Sequence, residues 1–156
     1  MKGAILLERR GKSFYEQVAR QTSSSALREI FTTLAREEDR HAQVLADLFR
    51  QLAAEKEPAS PPAGKPADIA GSVLTDKVRE EIAAASFEAA AIYAAMGLEE
   101  RSAAFYRDQE AKAGTEAERQ LYRWLADWER SHLELLMALD EDLRHKVWHD
   151  RHFWPF

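Results

Sequence analysis

Apolar positions recur every three or four residues in four stretches of the chain, the spacing of a helix with one buried face. The first runs from Ala4 to about Gln21, with Ala4, Glu8, Gly11, Tyr15 and Val18 on one stripe. The second, about 26–54, carries Leu27, Phe31, Leu34, Glu38, His41, Leu45 and Leu48. The third, about 86–113, carries Ile92, Ala95, Glu99, Ser102, Tyr106 and Gln109. The fourth, about 115–141, carries Tyr122, Leu125, Glu129, His132, Leu136 and Leu139. Every stripe contains a glutamate, and two contain a histidine, in positions where charge does not normally belong.

The breaks between stretches carry turn chemistry. Thr22-Ser23-Ser24-Ser25 supplies hydroxyls that can cap the second helix. Gly114 suits a helix stop, and Thr115-Glu116-Ala117-Glu118 has the capping-box spacing that opens the fourth helix. Residues 55–85 are different. Pro58, Pro61, Pro62 and Pro66 fall there with Gly64 and Gly71, followed by a short helical segment over Val73–Ala84. This is a long crossover and not a domain boundary, because the half before it is too small to close its own core.

The two halves repeat at an offset of 91 residues. Glu8, Tyr15, Glu38 and His41 match Glu99, Tyr106, Glu129 and His132, and Phe14-Tyr15 matches Phe105-Tyr106. Repetition at a fixed offset implies two copies of one unit. The expected architecture is all-α: one domain over 1–156, made of two antiparallel hairpins related by a pseudo-twofold axis, a four-helix bundle with one long connection. Residues 142–156 are expected as an aromatic tail. Its His145, His149 and His152 have helical spacing, but no carboxylate partner is specified. Docking of its rings on the bundle or on a partner subunit is therefore favoured over a second metal site.

Composition removes several classes of function. The chain has 156 residues, a net charge of −5 and no cysteine. Disulfides, thiolate zinc sites and iron–sulfur centres are excluded, and a cytoplasmic setting fits. Acids and bases are interspersed without a basic block, so nucleic acid is not an expected partner. No apolar run approaches a membrane span, and Met1-Lys2-Gly3-Ala4-Ile5 leads into a charged helix and not a secretory signal.

The Glu-x-x-His spacing of Glu38/His41 and of Glu129/His132 places both side chains on one helix face, one turn apart. One such pair means little. Two pairs on apolar seams, each preceded by an in-phase glutamate 30 residues upstream, make a ligand set for two metal ions. Four buried carboxylates carry a charge that two divalent ions cancel, whereas unpaired they would each cost several kcal/mol. Oxygen and imidazole ligands without thiolate suit iron, with manganese the other candidate. Glu38 and Glu129 are placed to bridge, Glu8 and Glu99 to be terminal ligands, and His41 and His132 to bind one ion each. Tyr15 and Tyr106 lie two turns beyond Glu8 and Glu99 on the same face. They can hydrogen-bond a ligand carboxylate, act as a nearby redox group, or simply pack in the core.

Leu7-Glu8-Arg9-Arg10-Gly11 with Phe14-Tyr15, Glu38-x-x-His41, Leu98-Glu99 with Phe105-Tyr106, and Glu129-x-x-His132 together resemble the rubrerythrin-type branch of the ferritin-like superfamily. The resemblance implies a carboxylate-bridged di-iron site that reacts with peroxide or dioxygen, a role in oxidative stress, and a homodimer. Typical members add a rubredoxin domain whose cysteines hold an electron-supplying iron. This sequence has none, so an external electron donor protein is expected. Typical members also carry an extra ligand glutamate one turn from the third-helix ligand, where this chain has Met96, Ser102 and Ala103. The expected function is an oxidoreductase acting on peroxide or dioxygen. A ferroxidase or iron-handling protein, a di-iron hydroxylase and a helical interaction module are the alternatives.

Overall fold

The computed structural model describes residues 2–54 and 86–150, which form four helices. They are α1 (Lys2–Gln21), α2 (Ser25–Ala53), α3 (Ser86–Lys112) and α4 (Glu116–Asp150). The crossover expected over 55–85, with its short helical segment, lies outside the described residues. α1 packs along α2, and α3 along α4, as two hairpins that together form an all-α four-helix bundle. No described helix is long and apolar enough to cross a membrane.

Local chemistry sets the helix ends. Ser24 caps α2, its Oγ accepting from the Leu27 amide at 3.1 Å. The capping box at α4 forms as its spacing requires. The Glu118 amide donates to Thr115 Oγ1 at 3.2 Å, and the Glu118 carboxylate accepts from the Thr115 amide at 3.2 Å. The short connector between α1 and α2 also ties the two hairpins together. Thr22 Oγ1 donates to the buried carboxylate of Glu88, in the first turn of α3, at 3.0 Å.

One boundary departs from the sequence-based expectation. α4 does not stop near residue 141 but continues to Asp150, so the expected tail over 142–156 is helical through most of its length. The stretch 142–150 has no Gly or Pro to stop a helix. Leu143 is buried and extends the apolar stripe of Leu136 and Leu139. Arg144 pairs with Asp140 one turn back at 2.5 Å. Residues 151–156 lie outside the described residues.

The apolar interior falls into two clusters. One gathers Tyr15, Leu27, Phe31, Leu34, Ile92 and Leu136, and the other Ala4, Leu45, Leu48, Tyr106, Leu121 and Leu125. On each helix the ionisable seam residues fall between the two. Glu8 lies between Ala4 and Tyr15, Glu38 and His41 between Leu34 and Leu45, Glu99 between Ala95 and Tyr106, and Glu129 and His132 between Leu125 and Leu136. The bundle therefore holds a polar layer closed above and below by packed hydrocarbon.

Candidate metal centre

All six ionisable residues singled out from the sequence meet in that layer. Glu8, Glu38, His41, Glu99, Glu129 and His132 are each no more than 4% exposed. One helix of each hairpin, α1 or α3, supplies a single glutamate. The other, α2 or α4, supplies a Glu-x-x-His pair.

Their donor atoms converge in two overlapping groups. Glu8, Glu38, His41 and Glu129 form one, and Glu38, Glu99, Glu129 and His132 the other, with the potential ligand atoms of each group all within 4.8 Å of one another. Glu38 and Glu129 belong to both groups, the positions from which a carboxylate can span two ions. His41 turns Nδ1 inward, 3.2 Å from Glu8 Oε2 and 3.3 Å from Glu129 Oε1. His132 likewise turns Nδ1 inward, 3.5 Å from Glu38 Oε1 and 3.7 Å from Glu99 and Glu129. The two imidazoles stack nearly parallel, with centroids 5.7 Å apart.

Burial of so much charge shows in the titration of these groups. Glu38 and Glu129 are pushed well above the ordinary carboxylate range, first by burial and then by the neighbouring carboxylates. Burial also acts upward on Glu99, but the close approach of Glu129 and His132 and the hydrogen bond from Tyr15 outweigh it and leave that carboxyl below its ordinary value. Burial lowers His132, and the contacts with Glu129, Glu37, Glu38 and Glu99 more than reverse this, holding the imidazolium well above the usual histidine range. Without metal, burial and the crowding of charge favour the protonated forms of Glu38 and Glu129, and the surrounding carboxylates that of His132, in the cluster.

Retained protons do not satisfy it. Glu99 Oε2, both carboxylate oxygens of Glu129 and His132 Nδ1 are buried without a hydrogen-bond partner among the described residues. Buried polar atoms are normally paired, and a group left unpaired costs about 1–3 kcal/mol. The orphaned atoms are the inward-facing oxygens and nitrogen that divalent cations would use. An oxygen-and-imidazole set of this composition is compatible with iron.

Second-layer contacts hold the donors in place. Tyr15 donates its hydroxyl to Glu99, and Tyr106 donates to Glu8, so each tyrosine reaches the terminal carboxylate of the opposite hairpin. Burial, followed by the nearby carboxylate charge, raises both phenols far above their ordinary value, so they stay protonated and remain donors. The sequence left a carboxylate contact, a redox role and core packing open for these residues. The geometry supplies the first: each hydroxyl is bonded to a ligand-type carboxylate.

Gly11 has a comparable part. A Cβ there would come within 2.9 Å of Glu38 Oε2 and 3.0 Å of its Cδ. The missing side chain is the space Glu38 occupies, the meaning of a mid-helix glycine that otherwise costs about 0.5–1 kcal/mol against Ala. Gly11→Ala is therefore expected to leave the metal-free fold within about 1 kcal/mol of the parent. Because it displaces Glu38, it should weaken metal binding by about 10–100-fold. Thermal melts of the metal-free protein and a calorimetric Mn(II) titration check the two halves of this expectation.

Two features of the site escaped the sequence reading. Glu37, next to Glu38, turns from the surface to meet His132 Nε2 at 2.6 Å. Trp124 and Trp128 lie edge-on to His41 with ring centroids 5.5 and 5.6 Å away, and neither indole N–H has a partner among the described residues. The repeat does contain a signal: at the 91-residue offset Glu37 matches Trp128, a mismatch beside the two matching Glu-x-x-His pairs. Of the tail histidines, His145 is 71% exposed, 3.9 Å from Glu141. The side chains of His149 and His152 lie outside the described residues.

Fold and cluster together define a ferritin-like bundle with a buried carboxylate–histidine centre. The family model described as Rubrerythrin matches residues 1–140. The chain belongs to the rubrerythrin family, whose di-iron carboxylate chemistry the buried donors accommodate. A solved structure of a hypothetical protein from Pyrococcus furiosus is similar, at 28% identity and a TM-score of 0.61, covering 92% of this chain and 87% of that one. No curated protein matches the chain.

Proposed function

We propose that the protein is a di-iron oxidoreductase that reduces hydrogen peroxide or dioxygen with electrons from a partner protein. The observation that carries the reading is the overlap of two four-residue donor groups through Glu38 and Glu129. A single metal would not call for two sets with shared bridging carboxylates. In this reading Glu8 and His41 would serve one ion and Glu99 and His132 the other, with Glu38 and Glu129 available to both. Bound there, a pair of ferrous ions supplies the two electrons that, with two protons, convert hydrogen peroxide to two molecules of water.

The chain's own residues prepare that chemistry. The carboxylates neutralise the ions, and Tyr15 and Tyr106 fix the orientation of Glu99 and Glu8 by donating to them. The apolar clusters on either side keep the layer dry, which strengthens each electrostatic contact within it. The sequence contains no cysteine, so no thiolate-held iron within these 156 residues can return the electrons. Re-reduction is assigned to a separate donor.

Anaerobic loading with Fe(II) followed by stopped-flow mixing tests the proposal. Oxidation by peroxide is expected to be at least about tenfold faster than oxidation by dioxygen, with uptake saturating at two irons per chain. Faster reaction with dioxygen and continued uptake of iron beyond two per chain would point to iron handling instead.

A further inference from the structure

We infer that the two metal positions are unequal, and that Glu37 makes the His132 position the one that fills first and more tightly. The inference rests on the two-metal reading above, and the repeat makes it visible. The six donors obey the 91-residue offset, but their surroundings do not. Glu37 matches Trp128, Thr33 matches Trp124, and Arg40 matches Ser131. Each mismatch falls beside an imidazole.

On the His132 side, the outward Nε2–H donates to the Glu37 carboxylate at 2.6 Å while Nδ1 faces Glu38, Glu99 and Glu129 without a hydrogen bond. A carboxylate behind a metal-binding imidazole fixes the tautomer, orients the ring and raises the basicity of the inner nitrogen. It also adds a negative charge close to the cation. Glu37 can do this because its side chain is only 20% exposed and its hydrogen bond is charge-assisted.

On the His41 side, no such carboxylate meets the outer nitrogen among the described residues. The ring is edged by Trp124 and Trp128, and an indole has a donor but no acceptor for an imidazole N–H. The Trp128 ring is shared, lying 5.6 Å from His41 and 6.3 Å from His132, so Trp124 is the indole that distinguishes the His41 flank. Carboxylate support behind His132, with indole in its place beside His41, favours a dication next to His132. Loss of an outer partner of this kind costs about 10–100-fold in metal affinity, and that range sets the expected separation of the two sites.

Manganese(II) is a suitable probe, because it is stable in air and locatable by anomalous scattering. In crystals grown with one equivalent of Mn(II) per chain, the anomalous peak should lie beside His132, with the His41 position filling only as a second equivalent is added. In solution, calorimetric titration should resolve two phases whose affinities differ by about 10–100-fold. Glu37→Ala should weaken the tight phase by a similar factor and leave the weak phase within about threefold. Glu37→Gln keeps a carbonyl acceptor without the charge and should fall between the two. A first peak beside His41, equal peaks at both positions, or a Glu37→Ala variant that weakens both phases alike overturns the inference. Absence of metal from both positions in a folded chain instead contradicts the two-metal reading itself, so the two failures are distinguishable.

Discussion

Replacing Glu129 by Gln is expected to abolish stoichiometric metal loading while raising the thermal midpoint of the metal-free protein. The two effects have one cause. Glu129 contributes to both donor groups, so an amide in its place removes an anionic bridge from each. In the metal-free state the same carboxyl is 1% exposed, held far above the ordinary carboxylate range by burial and by Glu8 and Glu99, and without a hydrogen bond on either oxygen. Removing a poorly satisfied buried ionisable group is commonly neutral or stabilising, by up to about 1–4 kcal/mol. At this chain length each kcal/mol moves the midpoint by about 2–4 °C. Differential scanning calorimetry after chelation, paired with metal analysis of the reloaded variant, measures both effects. A residue with only a packing role would give the opposite pattern, losing stability and keeping its metal.

The metal-free protein is expected to lose stability as pH rises from about 5 to 8, and the metal-loaded protein to gain it. Folded-state values for Glu38, Glu129 and His132 all lie above those of an unfolded chain. The native state therefore holds more protons than the unfolded state once pH passes the unfolded carboxylate and histidine values, about 4.3 and 6.5. Each such proton costs about 1.4 kcal/mol of stability per pH unit until the folded-state value is reached. Glu99, whose value is lowered, acts in the other direction, but only within and below the ordinary carboxylate range. Metal binding displaces the retained protons, so affinity grows with pH. At a free metal concentration a thousandfold above the dissociation constant, each bound ion adds about 4 kcal/mol. Melting curves at pH 5.5, 6.5 and 7.5, with and without metal, should diverge progressively. Parallel curves would mean that the cluster does not titrate as a metal-binding unit.

Much of this centre was legible before any coordinates, because helical periodicity and a repeat are both properties of sequence. Glu8, Glu38, His41, Glu99, Glu129 and His132 interrupt apolar stripes in phase, and nothing but a shared interior can lie at those positions in all four helices. Gly11 was legible as an oddity, but its 2.9 Å approach to Glu38 depends on the distance between α1 and α2, which no spacing encodes. Glu37 was not legible. It lies one residue off the seam, where a glutamate is ordinarily solvated, and only the tertiary approach of α2 to α4 brings it to His132. The continuation of α4 to Asp150 was missed for a different reason. The aromatic and histidine content of 142–150 suggested a change of role, whereas backbone propensity, Leu143 and the Asp140–Arg144 pair simply prolong the helix. α3 gave the weakest pattern of the four, since alanines occupy both its faces, with Ala91 and Ala95 buried and Ala89, Ala90 and Ala94 exposed.

The central claim is that the two donor groups hold a coupled pair of iron ions. Mössbauer spectroscopy with iron quantification on protein loaded anaerobically with 57Fe(II) and then oxidised tests it most directly. Two irons per chain, appearing as antiferromagnetically coupled ferric ions with a diamagnetic ground state, are the predicted result. One iron per chain, or two with uncoupled paramagnetic spectra, would contradict a centre bridged by Glu38 and Glu129.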